Sequence, residues 1–182
     1  MASNSQTDAP PLIVGITGRM GAGKTTVGTY LKSHWDFQYL RYSLVLADWF
    51  QTDPEAKARL QQVGWDVMSG DGQRELNRRL IAQVNGDQDC AIDGLRDPID
   101  FECLRHQFGS RFFLIYIDAP TQVRFERLQP RYQTYESFLA ADSHPVESKI
   151  DLLKPFATRI VSGLLSREDL VAEAERLISA LR

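Results

Sequence analysis

Short apolar runs recur along the chain and are separated by longer stretches of helix-like spacing. Apolar residues dominate positions 12–16, 90–93 and 111–117, and positions 37–42 alternate between polar and β-favouring residues. Near-continuous apolar runs of this length are typical of parallel strands that are buried on both faces. Together with a weaker run at positions 156–161, they predict five β-strands.

The stretches between the predicted strands favour helices with recognisable ends. Ser43 and Ser166 stand where N-caps are expected, and Pro98 and Gly109 suit the first turn and the C-terminal end of one helix. Helices are predicted at positions 23–33, 44–51, 55–68, 73–84, 98–108, 121–128 and 166–181. Strands that alternate with helices in this way predict an α/β fold, with helices on both faces of a parallel sheet.

The clearest chemical signal follows the first predicted strand. Residues 18–25 read G-R-M-G-A-G-K-T, which fits the phosphate-binding pattern G-x-x-x-x-G-K-[ST]. The glycines of such a loop allow backbone N–H groups to surround phosphate oxygens at the positive end of the following helix. Lys24 is expected to reach the β- and γ-phosphates, and the Thr25 hydroxyl to bind Mg²⁺. The sequence therefore predicts a site for ATP and Mg²⁺.

Composition narrows the class of protein. A chain of 182 residues with 43% hydrophobic and 25% charged residues suits one globular domain. Its net charge of −3 gives no broad basic surface for nucleic acid, and no apolar run suits a membrane helix. The 2 cysteines and 3 histidines suggest neither a disulfide framework nor a structural zinc site. We expect a cytoplasmic protein whose small, polar residues 1–10 form a disordered tail.

Two residues near the end of the third predicted strand extend the candidate site. Asp93 lies where ligands bind in open α/β sheets, so its carboxylate could hold Mg²⁺. A cap on the following turn is the alternative role for this residue. Arg96, three positions later, suits a bidentate contact with a phosphate.

A row of arginines forms a second constellation. Arg124 and Arg127 share one face of a predicted helix, and Arg131 extends the row beyond Pro130. Arginines that clamp a transferring phosphoryl group stabilise the charge on its oxygens. A solvated helix face, offset by Glu126, is the alternative interpretation.

The order of these motifs resembles P-loop nucleoside-monophosphate kinases, and more closely the small dephospho-CoA-kinase-like P-loop proteins. The resemblance is carried by the P-loop, by I-D-G-x-R at positions 92–96, and by D-A-P and R-F-E-R-L-x-x-R within positions 118–131. It implies a three-layer P-loop NTPase fold whose five-stranded parallel sheet has the order 2-3-1-4-5. It also implies a single domain over positions 11–182, with a helical acceptor insert at about 43–86 and a short lid at about 129–146.

The resemblance also assigns roles to residues. Asp93 would organise Mg²⁺ and the acceptor, Arg96 would hold the acceptor's phosphate, and the lid arginines would hold the phosphates of ATP. The expected catalytic residues are Lys24, Asp93, Arg96, Arg127 and Arg131. The expected nucleotide-binding residues are Gly18, Met20, Gly21, Ala22, Gly23, Lys24, Thr25, Thr26 and Arg124, and the expected metal ligands are Thr25 and Asp93.

The chain departs from the family pattern after the second predicted strand. Relatives often read S-D-x-[LI]-R there, with the Arg on the acceptor's phosphate, whereas this chain has Leu44 and Ala47 in place of the Asp and Arg. Arg41 or Arg59 could substitute. Two functions remain open: an ATP-dependent kinase for a nucleoside monophosphate or a dephospho-CoA-like acceptor, and a catalytically decayed ATP-binding protein that senses nucleotide and regulates a partner protein.

Overall fold

A five-stranded parallel sheet forms the centre of the computed structural model, which describes residues 10–182. The strands are β1 Ile13–Thr17, β2 Gln38–Arg41, β3 Cys90–Leu95, β4 Phe112–Asp118 and β5 Arg159–Ser162. Their spatial order β2-β3-β1-β4-β5, with every neighbouring pair parallel, confirms the predicted order 2-3-1-4-5. The predicted tail, apart from Pro10, lies outside the described residues.

Helices cover both faces of this sheet, because successive side chains of a strand point to opposite sides. Ile13 and Leu114 contribute to one hydrophobic core, and Val14 and Ile115 contribute to the other. The helices are α1 Lys24–Trp35, α2 Tyr42–Trp49, α3 Lys57–Ser69, α4 Gly72–Ile81, α5 Pro98–Phe108, α6 Thr121–Leu128, α7 Tyr135–Asp142 and α8 Arg167–Leu181. Helices α1 and α8 supply one outer layer, and helices α2 to α5 supply the other. The expected three-layer α/β architecture is confirmed.

Three helix ends match the signals in the sequence. Helix α5 starts at Pro98 behind the N-cap Asp97, whose carboxylate accepts a hydrogen bond from the Ile99 N–H, and Gly109 follows its last residue. Ser166 caps α8 by accepting a hydrogen bond from the Asp169 N–H at 3.1 Å. Local hydrogen-bonding chemistry therefore fixes these two helices.

The predicted N-cap at Ser43 is wrong. Helix α2 begins at Tyr42, two residues before the predicted start at position 44, and its N-cap Arg41 makes no side-chain cap hydrogen bond. The Tyr42 ring is buried and its hydroxyl donates to Asn77 Oδ1 at 2.6 Å. Tertiary packing of Tyr42 therefore sets the start of this helix.

Two predicted strand ends also differ from the structure. Strand β3 continues past Asp93 to Leu95, and its register with β1 shifts between Ile16 and Thr17. Phe156, expected in the last strand, instead ends the 3-10 helix Ile150–Phe156, and its ring stacks on Phe101 at 4.9 Å between centroids.

The predicted insert and lid correspond to recognisable parts of this fold. Positions 43–86 contain most of α2 together with α3 and α4, and positions 129–146 contain α7. Their assignment as an acceptor insert and a lid stays a prediction. Among residues 10–182, none of the helices has the length and apolarity needed to cross a membrane.

Candidate functional site

The phosphate-binding sequence forms a tight loop between β1 and α1. Gly18, Gly21 and Gly23 have φ angles of 134°, 76° and 113°, a region that favours glycine. A Cβ on Gly18 would also lie 2.4 Å from the carbonyl oxygen of Ile117 on β4. The backbone path therefore requires glycine, as the phosphate-loop pattern predicts.

Lys24 folds back over this loop from the first position of α1. Its Nζ donates to the carbonyl oxygens of Gly18 at 2.7 Å and Arg19 at 3.0 Å. Burial lowers the pKa of Lys24, while the nearby Asp93 carboxylate opposes that effect. The ammonium group thus lies at the mouth of the loop, beside the acid expected to act with it.

Asp93 is held beside the loop by residues from two elements. The Thr25 hydroxyl at the start of α1 lies 3.3 Å from Asp93 Oδ2, and the Tyr39 hydroxyl on β2 donates to the same oxygen at 2.7 Å. The Arg41 Nε lies 4.0 Å from it. Burial, together with the Asp93 charge, raises the pKa of Tyr39, so that its hydroxyl stays a proton donor.

Thr25 and Asp93 offer the oxygen ligands that Mg²⁺ prefers. Magnesium is usually bound by one or two carboxylates plus substrate phosphates and water, rather than by an all-protein cage. In the part of the chain that the structure describes, no group of three or more His, Cys, Asp or Glu side chains could hold a metal ion. This donor set therefore fits a magnesium ion that takes its remaining ligands from a nucleotide.

The loop opens into a cleft of about 270 Å³ between β2, β3 and the α2–α3 region. Its charged lining consists of the cations Lys24, Arg41, Lys57, Arg96 and Arg131 and the acids Asp93, Asp100 and Glu147. Apolar side chains such as Leu46 and Leu60 form the rest of its wall. Because cations outnumber carboxylates, the cleft favours an anionic ligand.

Arg96 is held in the cleft by Glu147, which the sequence analysis did not single out. The Arg96 Nε donates to Glu147 Oε1 at 3.1 Å, and the charge of Glu147 raises the pKa of Arg96. Glu147 is 1% exposed, and its Oε2 is buried without a hydrogen-bond partner in residues 10–182. Within the same residues the two Nη atoms of Arg96 donate to no acceptor, so its guanidinium has donors left for a ligand.

Arg124 has a different environment from the one expected. It is 2% exposed, and its two Nη atoms donate to the Asp142 carboxylate at 2.5 and 2.9 Å. It also donates to the carbonyl oxygens of Met20 in the loop at 3.3 Å and Ala119 at 3.1 Å. Arg124 thus joins the loop to α7, and its expected contact with ATP stays a prediction that requires these bonds to change.

The other two arginines of the predicted row have different surroundings. Arg127 is exposed, and its Nη1 lies 3.5 Å from the Gly21 carbonyl oxygen and 3.4 Å from that of Ala22. Arg131 lines the cleft, with its guanidinium over the Tyr132 ring. Of the predicted arginine row, Arg131 is therefore the member whose side chain borders the cleft.

The positions where the family pattern is broken do not face the cleft. Leu44 is exposed to solvent, and Ala47 is buried in the core. Arg41 borders the cleft, whereas Arg59 is exposed on α3 and lies outside its lining. Of the two possible substitutes for the missing Arg, the geometry favours Arg41.

The strand alternation contained a signal for this arrangement that the sequence analysis did not use. Tyr39 and Arg41 are two positions apart on β2 and share one side of the sheet. In the parallel register Arg41 pairs with Asp93 of β3, so both side chains end near that carboxylate. Glu147 and Lys57 had no such local signal, because each comes from a segment that packs onto the cleft from far along the chain.

The sheet order and the loop together define a P-loop kinase-like α/β protein. The chain belongs to the AAA domain family, whose sequence profile it matches over residues 14–143. UPF0200 proteins of Methanosarcina mazei and Methanosarcina acetivorans are 39% and 38% identical to it over 71 residues. That segment is 38% of this chain and 38% of each relative's own length.

Solved kinase structures share the fold over almost the whole chain. A sugar kinase from Janibacter sp. HTCC2649 superposes with a TM-score of 0.66 at 18% identity, covering 93% of this chain and 95% of that one. A gluconokinase from Sinorhizobium meliloti gives 0.64 at 16% identity, covering 94% and 95%. A shikimate kinase from Acinetobacter baumannii in complex with shikimate gives 0.57 at 17% identity, covering 94% and 93%. At these identities the likeness shows the fold.

We predict that the Arg124–Asp142 pair stabilises the fold far more than a surface ion pair does. Asp142→Asn leaves the buried Arg124 without its counter-charge and should lower the free energy of unfolding by about 3–5 kcal/mol. The matched control is Asp118→Asn, which removes the exposed pair with Lys154 and should cost under about 1 kcal/mol. Urea denaturation of both variants gives the comparison, and equal losses would contradict the assigned role of the buried pair.

Proposed function

We propose that this protein is an ATP-dependent kinase that transfers the γ-phosphate to a small anionic acceptor. The observation that carries the proposal is the convergence of Thr25 and Asp93 beside the phosphate loop, at one end of a cleft that also contains Arg41 and Arg96. A protein that only held ATP would need the loop, whereas a kinase also needs a second anion site within reach of the first.

ATP is proposed to bind at the phosphate loop. Lys24 would contact the β- and γ-phosphates, and the Thr25 hydroxyl and the Asp93 carboxylate would hold Mg²⁺. The metal, when bound, supplies positive charge that offsets the charge on the transferring phosphoryl group. The exposed Arg127 and Arg131 are proposed to approach the phosphates from the lid side.

Arg96 and Arg41 are proposed to bind the anionic group of the acceptor. A phosphorylated acceptor, such as a nucleoside monophosphate or a dephospho-CoA-like molecule, suits the excess of positive charge in the cleft. The names of two structural neighbours refer to gluconate and shikimate phosphorylation, and both compounds carry a carboxylate instead. All of these compounds are anions, and each also has a free hydroxyl or phosphate oxygen that could attack ATP.

The reaction would be an in-line displacement. An acceptor oxygen forms a bond to the γ-phosphorus while the bond from that phosphorus to the β–γ bridging oxygen breaks. ADP leaves with that oxygen. An attacking hydroxyl releases its proton to solvent, whereas an attacking phosphate oxygen has no proton to release. Positioning of the two anions and stabilisation of the transferring charge by Lys24 and the arginines would account for most of the acceleration.

A nucleotide-sensing protein without kinase activity is the second candidate. The observation in its favour is that Leu44 and Ala47 stand where related kinases carry the Asp and Arg, and neither lines the cleft. Such a protein would bind ATP at the loop and alter its contact with a partner protein. It would transfer phosphate to no acceptor.

We predict that Asp93→Asn abolishes transfer while leaving ATP binding in the absence of Mg²⁺ nearly intact, because the carboxylate acts on metal and acceptor rather than on the phosphate loop. The loss should be about 100-fold or more in kcat. The assay uses ATP labelled at the γ-phosphate, Mg²⁺, and a panel of nucleoside monophosphates, dephospho-CoA, shikimate and gluconate. Asp87→Asn, in an exposed loop, is the matched control and should behave as wild type.

The outcomes separate the two functions. Transfer by wild type that survives Asp93→Asn would refute the role of Asp93, even if the protein is a kinase. Binding of ATP by wild type without transfer to any member of the panel would favour the sensor.

We further predict that Arg41 helps to bind the acceptor. Removing a charge-assisted contact with an anion costs about 1.5–3 kcal/mol, so Arg41→Ala should raise the acceptor's KM about ten- to a hundred-fold with little change in the KM for ATP. Arg59→Ala, on the outside of α3, is the control and should stay within about twofold of wild type. Steady-state kinetics with the best acceptor of the panel test this, and equal effects of the two variants would contradict the assignment.

A further inference from the structure

The two oxygens of the Asp93 carboxylate have different surroundings. The hydroxyls of Tyr39 and Thr25 and the Arg41 guanidinium all lie on the side of Oδ2, at 2.7, 3.3 and 4.0 Å. Oδ1 accepts no hydrogen bond within residues 10–182. In the same residues, the buried side-chain atoms that lack a hydrogen-bond partner do not include Oδ1, so this oxygen is not enclosed. Because Asp93 lines the cleft, the carboxylate is anchored through one oxygen and presents the other to a ligand.

Tyr39 supplies the shortest of these contacts, and a glycine makes room for it. A Cβ on Gly28 in α1 would lie 2.3 Å from Tyr39 Cε2 and 2.6 Å from Cζ, so that the ring packs directly on the helix backbone. A glycine inside a helix is less favourable than an alanine, because the backbone loses more conformational freedom. The same helix begins with Lys24 and Thr25, so the Tyr39 ring is fixed against the element that carries the phosphate loop.

From this geometry we infer that Tyr39 is a positioning residue for Asp93. Its hydroxyl anchors Oδ2 and thereby orients Oδ1 towards the complex of Mg²⁺ and nucleotide. A carboxylate that is already oriented need not lose rotational freedom when the metal–nucleotide complex binds, so the contact increases affinity for that complex. This inference rests on the ATP and Mg²⁺ site of the proposed function and requires no particular acceptor.

The test measures how much Mg²⁺ improves ATP binding, by calorimetry in MgCl₂ and in EDTA. Tyr39→Phe keeps the ring against Gly28 and removes only the hydroxyl. Its ATP affinity in EDTA should stay within about twofold of wild type, while the Mg²⁺-dependent gain in affinity should fall about tenfold, the size of one hydrogen bond to a charged group. Tyr30→Phe is the matched control, because Tyr30 lies on α1 and donates to Glu175 away from the cleft.

A purely structural role for Tyr39 predicts a different result. It would lower the unfolding temperature of Tyr39→Phe and leave the ratio of the two ATP affinities unchanged, and that result would overturn the inference. A wild-type protein whose ATP affinity does not depend on Mg²⁺ would overturn it as well. Gly28→Ala keeps the hydroxyl but crowds the ring, so a folded Gly28→Ala protein should lose part of the same Mg²⁺-dependent gain.

This measurement is independent of the kinase assay. A wild-type protein that binds ATP with Mg²⁺ but phosphorylates no acceptor refutes the proposed kinase, and the effect of Tyr39→Phe on the Mg²⁺-dependent gain still decides the role of Tyr39. Conversely, an active kinase in which Tyr39→Phe leaves that gain intact refutes the positioning role alone.

Discussion

The close approach of the phosphate loop to strand β4 is the constraint on which the site depends. Gly18 lies so near the Ile117 carbonyl that no side chain fits, and the loop then turns through two more glycines with positive φ angles. The hydrogen bonds of Lys24 and Arg124 to the carbonyl oxygens of Gly18, Arg19 and Met20 stabilise this path. A loop fixed in this way has its shape before any ligand arrives, so a phosphate chain would bind without an ordering cost.

The rest of the cleft is assembled around this loop by elements that are distant in sequence. Parallel pairing of β2 with β3 places Tyr39 and Arg41 beside Asp93. The segment after α7 brings Glu147 to Arg96, and the adjacent Lys149 pairs with Asp97 at 2.6 Å. Two neighbouring ion pairs therefore connect this segment to the turn after β3. The segment supplies the acid of one pair and the base of the other. These contacts link the segment that follows the candidate lid to Arg96, the residue proposed to hold the acceptor.

The sequence predicted those features whose signals are local. Apolar runs revealed the strands, the resemblance implied their order, and Asp97, Pro98 and Ser166 act through neighbouring backbone groups. Features that depend on tertiary packing were missed: Tyr42 moves the start of α2, and Glu147 reaches the cleft from a segment with no motif. The resemblance implied that Arg124 contacts ATP, but a sequence motif cannot show that Asp142 neutralises this arginine in a buried position.

Residues 18–25 are proposed to bind the phosphates of ATP, and calorimetry of Lys24→Ala measures their contribution. The ATP affinity of Lys24→Ala should fall about ten- to a hundred-fold, the loss expected for one charge-assisted contact. Lys32→Ala, on the exposed face of the same helix, controls for the loss of a positive charge and should leave the affinity unchanged. An ATP affinity for Lys24→Ala equal to that of wild type would show that this loop does not bind the phosphates of ATP.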